Sequence, residues 1–255
     1  MKVKQFPKVT VVTVCLNVAG LLEETMNSVF NQGYENMEYI VIDGGSTDGT
    51  LDLIKQHAGE INHWVSEPDH GIYDAMNKGI AAATGEWIIF MNAGDTFVDA
   101  DVVSRVFSNN HADADVVYGD CCKSIDGQDV VVKPHPPRNS HRMNFCHQCA
   151  FTRTAWLKHT PFDTRYKLSA DFKSFKLIGL AGGVFEYVPM TIAKFDTHGA
   201  SNTSRAKGLK ENIEIIQEVD SFSQKLRLLP RIYFTYLMVK LRTKSRKKYS
   251  KAVER

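Results

Sequence analysis

The chain lacks the G-x-G-x-x-G fingerprint after its first apolar run; "CLNVAGLLE" (15–23) stands there instead. That absence excludes the nucleotide-dependent oxidoreductases, whose first strand–turn–helix needs those glycines for pyrophosphate. Nothing after Met1 reads as a secretory signal, because Lys2 and Lys4 are followed by Phe6-Pro7 and then by a strand-like run. The five cysteines are odd in number, so reduced thiols in the cytosol are the simplest expectation. Cys146-His147-Gln148-Cys149 has the spacing of two zinc ligands, but no second Cys-x-x-Cys follows it. The missing half argues against a zinc site. There are no internal repeats and no low-complexity segment. The apolar stretch between Arg231 and Lys240 falls far short of the ~20 residues that span a bilayer.

What is present reads as a globular chain. Of 255 residues, 43% are hydrophobic and 24% charged, near the average for a soluble domain and enough for a sizeable core. The net charge of +2 hides an asymmetry. Residues 221–255 carry eleven Lys/Arg against one acid, Glu254, which leaves the body at about −8.

Strand and helix signals alternate through the first half. Val9–Cys15 is β-branched and continuously apolar, as expected of a strand buried on both faces. Asn17 is a candidate cap for a helix carrying Leu22, Met26, Val29 and Phe30 at helical spacing. A strand at Tyr39–Ile42 stops at "DGGSTDGT" (43–50), where Thr47 or Asp48 can cap the next helix. His63–Ser66 is a shorter strand. A helix follows within "EPDHGIYDAMNKGIAAATG" (67–85), then a strand at 86–91, a helix through Val102, Val103 and Val106, and a strand at Asp115–Tyr118. Repeated strand–helix–strand units predict an α/β fold with a mainly parallel sheet and helices on both faces. Beyond residue 120, "KPHPPRNSHRMNFCHQC" reads as loop and "SADFKSFKLIGLAGG" (169–183) as a helix capped by Ser169. Val184–Val188 and Thr191–Phe195 read as two strands broken at Pro189, and a helix runs through Ile213, Ile216 and Val219.

Ligands of open α/β sheets bind outside the carboxyl ends of the strands. There this chain places Thr13-Val14-Cys15-Leu16-Asn17, Asp43 with Gly44-Gly45-Ser46, Glu67-Pro68-Asp69, and Asn92-Ala93-Gly94-Asp95. A carboxylate at a strand tip can accept hydrogen bonds from a ribose diol or a base edge, though Gly, Asp and Ser also dominate ordinary turns. In order and spacing, "VTVVTVCLN", "EYIVIDGGSTDGT", "EPDHGIYDAMNKGI" and "GEWIIFMNAGD" resemble the family 2 glycosyltransferases, inverting enzymes of GT-A fold that use nucleotide sugars. The branch that builds bacterial capsule, exopolysaccharide or lipopolysaccharide is the nearest likeness. The resemblance covers about 7–100 strongly and extends to about 205.

The resemblance implies a GT-A domain over 1–220, with a nucleotide-sugar half (about 7–118) merged with a smaller acceptor half (about 119–205). It implies donor contacts from Thr13, Val14, Asn17, Asp43, Ser46, Asp69, Asn77, Lys78, Asn92, Ala93 and Gly94, with Asp43 facing the base, usually uracil. For Asp74 and Asn77 an ordinary helix-surface place is the alternative. Asp95 aligns with the last acid of an Asp-x-Asp-type motif that binds Mg²⁺ or Mn²⁺, hard cations that take few carboxylates plus phosphates. Asn92 and Gly94 stand where relatives often carry acids. Asp171 occupies the place of the catalytic base, which takes the proton of the attacking acceptor hydroxyl, and Ala170 replaces a second acid. His147 and Gln148 fall on the acceptor side. His198 and Ser201, in "HGASN", fall on a stretch that closes over the diphosphate.

The implied partners are a nucleoside-diphosphate sugar, UDP-linked, and a glycan or lipid-linked acceptor. The mixed apolar and basic segment 225–251 reads as an interfacial helix for an anionic membrane, which would make a cytoplasmic protein peripheral at the inner face of the cell membrane. A helix packed on the body with a solvated basic end is the alternative. Nucleic acid is not expected, since no recognised binding fold accompanies the basic residues. A non-catalytic nucleotide-sugar-binding or scaffold protein is the rival to an enzyme.

Overall fold

The computed structural model describes residues 6–125, 128–195 and 204–253, with side chains described as far as Leu241. Helices and strands alternate as β1 Val9–Cys15, α1 Ala19–Phe30, β2 Met37–Asp43, α2 Thr50–Gln56, β3 His63–Ser66, α3 Ile72–Ala82 and β4 Trp87–Phe90. Then come β5 Thr96–Phe97, α4 Val102–Val106, β6 Val116–Ile125, β7 Gln128–Val132, a 3₁₀ turn His147–Cys149, β8 Ala150–Arg153 and α5 Thr154–His159. The chain continues through α6 Ala170–Leu180, β9 Phe185–Phe195, α7 Arg205–Val219 and α8 Phe222–Val253.

One sheet runs β3-β2-β1-β4-β8-β6-β9-β5, with β7 paired on β6. Its first four strands are parallel, and there the apolar runs are continuous because both faces are covered. Along β1, Val9, Val11 and Cys15 face one core with Leu22, Met26 and Val29 of α1 and Val102, Val103 and Val106 of α4. Val12 and Val14 face the other core with Met76 and Ile80 of α3 and Ile213, Ile215 and Ile216 of α7. Each such fully buried aliphatic side chain is worth about 1.5–3 kcal/mol against exposure. From β4 onward the sheet is mixed. β8 is antiparallel to β4 and β6, whereas β9 is parallel to β6.

Three expectations change. Phe185–Phe195 form one strand, not two, because Pro189 falls where the register shifts between Tyr118↔Tyr187 and Asp120↔Thr191, a bulge that needs no ladder donor from proline. Asn17 does not cap α1. It takes a left-handed φ of 53°, and Val18 and Ala19 instead donate to Thr50 Oγ1 and Asp48 Oδ2 from the following loop. Ser169 sits at the start of α6, but its hydroxyl donates to Gly208 O rather than to the helix's own amides.

The C-terminal segment opens within the body. Leu228 and Ile232 of α8 are buried in the same core as α3 and α7. Phe222, Leu226, Phe234, Leu237 and Leu241 remain exposed. No helix among the described residues is long and apolar enough to cross a membrane.

Candidate active site

Parallel register aligns the ends of β1, β2 and β3, pairing Cys15 with Asp43 and Asp43 with Ser66. The first ladder continues past β4, where Met91 N–H donates to Val12 O and Ala93 N–H to Val14 O. The turn Asn92–Asp95 is thereby delivered beside the end of β1. Asp95 N–H closes it on Asn92 O at 2.8 Å. Gly94 holds φ 98°, a conformation that disfavours side chains. Thr25 of α1 clips it from below, accepting Gly94 N–H and donating to Asp95 O.

Asp95 and Asn92 line a cleft of about 600 Å³ together with Tyr73, Cys121, Cys146, His147, Gln148 and Asp171. Asp171, in the first turn of α6, accepts from Tyr73 Oη at 2.8 Å on one carboxylate oxygen and from His147 Nδ1 at 3.0 Å on the other. An ionised carboxylate only accepts, so Nδ1 carries the proton and Nε2 is left as the acceptor of the neutral ring. That Nε2 is buried without a partner among the described residues. Glu211 of α7 fixes the approach to α6 by accepting the Lys167 and Leu168 N–H groups.

The electrostatics follow from this contact. Burial opposes ionisation of Asp171, but His147 and the Tyr73 hydroxyl outweigh it and lower its pKa. Burial likewise disfavours the His147 cation, yet the hydrogen bond and charge of Asp171, then Asp95 and Cys121, raise its pKa. Burial and the Asp171 charge push the Tyr73 phenol well up, keeping it a donor. The Cys121 thiol is lowered, first by Cys146 and then by Cys149 hydrogen-bonding to it.

The expected donor residues divide. Asn92 and Ala93 line the cleft, as do Asp95, expected at the metal, His147 and Gln148, expected on the acceptor side, and Asp171, expected as the base. Gly94 shapes the turn behind them. Thr13 and Asp43 are fully buried. The Thr13 hydroxyl donates to Met91 O and accepts from Tyr39. Asp43 accepts from Ser46 N–H, the Ser46 hydroxyl and the Ser66 hydroxyl. Asn17 accepts Thr47 N–H and donates its own amide to Ser46 Oγ. Val14 is buried in β1. Asp69 accepts Gly71 N–H and lies against Gly44, where a Cβ would come within 2.4 Å of its carboxylate.

Two residues of the α3 motif are turned to the protein itself. Asn77 clamps residue 162, accepting Phe162 N–H at 2.9 Å and donating to Phe162 O at 2.8 Å. Both ends of its amide are engaged with the protein, which favours the alternative of an ordinary structural place on α3. Lys78 pairs with Glu67 and donates to Pro68 O, so it ties down the loop before α3. Asp74 accepts His70 N–H, an ordinary first-turn role. His198 and Ser201 lie outside the described residues.

Sequence reasoning missed Tyr73, Thr25 and Cys121. Tyr73 stood inside the quoted α3 motif, and a hydroxyl on a buried helix face needs a partner, but nothing local points 98 residues on to Asp171.

Whether the site fits a hard divalent ion can be tested on the turn itself. Asn92 Oδ1 is buried with no partner among the described residues, and it lines the same cleft as Asp95. An amide oxygen next to a carboxylate suits Mg²⁺ or Mn²⁺, which take oxygen ligands and complete their shells with water and phosphate. The residues fit.

Comparison with known proteins places this arrangement. S. aureus TarS 1–349 in complex with UDP superposes with a TM-score of 0.61 at 18% identity, covering 84% of this chain and 67% of that one. The mannosyltransferase PcManGT from Pyrobaculum calidifontis, in complex with GDP-Man and Mn²⁺, gives 0.65 at 18% identity over 83% of this chain and 64% of the other. At that identity they show the fold, and it is that of the GT-A glycosyltransferases. The model of Glycosyl transferase family 2 matches residues 10–167. A PGL/p-HBAD biosynthesis glycosyltransferase of Mycobacterium bovis is 31% identical over 205 residues, 77% of this chain and 80% of the relative. An uncharacterized glycosyltransferase of Mycobacterium tuberculosis is 42% identical over 100 residues. The chain belongs to glycosyl transferase family 2.

Proposed function

We propose that the protein transfers a sugar, with inversion, from a UDP-linked donor to a hydroxyl of a glycan or lipid-linked acceptor in bacterial surface polysaccharide biosynthesis. The carrying observation is the Tyr73–Asp171–His147 cluster, which shares one cleft with Asp95. Nucleotide sugars or nucleotides occupy the structural neighbours, which supports a donor of that class.

The chain's own residues divide the work. Asp171 takes the acceptor proton as the acceptor oxygen attacks the anomeric carbon, opposite the leaving diphosphate. Tyr73 and His147 hold the carboxylate in place for that transfer. The ends of β1, β2 and β3, with Asp43 and Asp69, form the nucleoside end. Asp95 and Asn92 would hold Mg²⁺ or Mn²⁺, which supplies positive charge to the diphosphate as it leaves. The buried, unpartnered Nε2 of His147 favours a second reading, in which His147 is the base and Asp171 orients it.

A thermal-shift panel of nucleotide sugars with and without Mn²⁺ tests the donor, because a ligand of the native state raises apparent stability. The UDP sugars should give the largest shifts, and only with Mn²⁺. In Asp95→Ala those shifts, and transfer with them, should vanish. Unchanged Mn²⁺-dependent binding in that variant would remove the metal role. Strong donor shifts with no turnover of any acceptor or water would favour a non-catalytic binding protein.

The exposed Phe222, Leu226, Phe234, Leu237 and Leu241 of α8 precede a run of Lys and Arg. This supports an interfacial anchor for anionic lipid. Truncation after Leu241 removes the basic end while keeping Leu228 and Ile232 in the core. Co-sedimentation of that variant with phosphatidylserine vesicles equal to the full chain would reject the anchor.

A further inference from the structure

The half zinc motif Cys146-x-x-Cys149 finds a third thiol in the fold. Cys121 comes from the middle of β6, just past the bulge against β9, and Cys146 and Cys149 flank the 3₁₀ turn before β8. Their three sulfur atoms all lie within 4.8 Å of one another. Cys121 and Cys149 are buried, while Cys146 is half-buried. Cys121 and Cys146 also line the cleft. The other two cysteines, Cys15 and Cys122, stand outside this cluster.

We propose that Cys121, Cys146 and Cys149 form a Zn²⁺ site distinct from the hard-ion site at Asp95. A tetrahedral zinc with bonds of about 2.3 Å to sulfur holds its thiolates about 3.8 Å apart. The observed triangle needs only a small contraction, and the cleft side leaves the fourth position open to water. Binding displaces the thiol protons to the buffer and replaces them with zinc–sulfur bonds. Soft thiolates take Zn²⁺ and reject Mg²⁺, whereas the oxygens at Asp95 accept Mg²⁺ or Mn²⁺, so it is the thiol site that excludes the hard ion. The zinc would pin both ends of the turn that carries His147 and Gln148 to β6. It is a positioning device for the His147–Asp171 pair and stands whether or not the transfer reading does.

The test uses the full chain, reduced with a phosphine and stripped of metal, titrated with Co²⁺ as a spectroscopic stand-in for zinc. One equivalent should raise a near-ultraviolet thiolate-to-cobalt band with tetrahedral d–d bands in the red, and Zn²⁺ should erase both while excess Mg²⁺ leaves them. Cys122→Ser should keep the bands. Cys146→Ala, at the half-buried position least able to disturb the core, should lose most of their intensity, and Cys149→Ala likewise. Zn²⁺ should raise the melting temperature of wild type by several degrees and leave that of Cys146→Ala unmoved. Absence of the charge-transfer band in the wild-type chain, or bands of equal intensity in Cys146→Ala, would overturn the proposal. So would binding that Mg²⁺ displaces.

Discussion

The two ends of the strand-tip surface differ in how their polar groups are spent. At the end proposed for the nucleoside, Asp43 accepts from Ser46 and Ser66, Thr13 is bonded to Met91 and Tyr39, and Asn17 to Thr47. At the cleft end, Asn92 Oδ1 and His147 Nε2 are buried and unpartnered. Leaving a buried polar atom unsatisfied costs about 1–3 kcal/mol. A ligand, ion or water bound in the cleft would remove that cost, so the two ends teach different things. The first is preformed architecture, where the proposed base or ribose would meet groups already bonded to the protein. The second is a site whose hydrogen bonding and charge are completed by what binds there.

The sharpest way to break that contrast is to neutralise the cleft end while leaving the other intact. Asp171→Asn keeps the shape and the acceptance from Tyr73 but removes the charge. Transfer should fall about 10²–10⁴-fold, the usual worth of a positioned base, with donor thermal shifts unchanged. Turnover within a few-fold of wild type would remove Asp171 from the chemistry.

Most of the parallel half was legible beforehand, for a physical reason. A strand covered on both faces must be apolar at every position, so Val9–Cys15 and Tyr39–Ile42 announce themselves, and α1 and α7 show their stripes at helical spacing. Asp171 was placeable for the same local reason, at the start of a helix. The resemblance to family 2 supplied its role, not the periodicity. What stayed hidden is what tertiary structure alone decides. Tyr73 and Asp171 lie 98 residues apart. Cys121 meets Cys146 and Cys149 only because β6 and β8 pair. Asn77 entered the donor set through the family resemblance alone, and only the fold shows each end of its amide bonded to Phe162. Pro189 looked like a break because proline cannot join a ladder, until a bulge made room for it.

That reassignment of Asn77 gives an intermediate effect of opposite kind. Asn77→Ala leaves the Phe162 N–H and C=O without partners and should cost about 1–3 kcal/mol of folding stability. Its donor KM should stay at the wild-type value below the melting transition. A donor KM raised tenfold with no loss of stability would return Asn77 to the donor site.

The smallest effect distinguishes the two candidate bases within the cleft. His147 faces Asp171 directly, with Asp95 and Cys121 adding to its field, and the Tyr73 phenol stays neutral. The folded pKa of Asp171 is lowered, so its stabilising share is present above the unfolded carboxylate value of about 4 and is lost as pH falls further. The folded pKa of His147 is raised, so its share is present below the unfolded imidazole value of about 6.5 and is lost as pH rises through the folded value. The pair therefore contributes most between about pH 4 and 6.5. The melting-temperature gap between wild type and His147→Ala should be widest there and narrow as pH rises above it. The rate carries the decision. With Asp171 as base, a carboxylate of lowered pKa stays ionised and kcat/KM holds through pH 6 and below. With His147 as base, kcat/KM must already be falling above about pH 6.5, where a ring of raised pKa gains its proton. A flat profile from pH 8 to pH 6 assigns the proton to Asp171 and leaves His147 as the group that holds it in place.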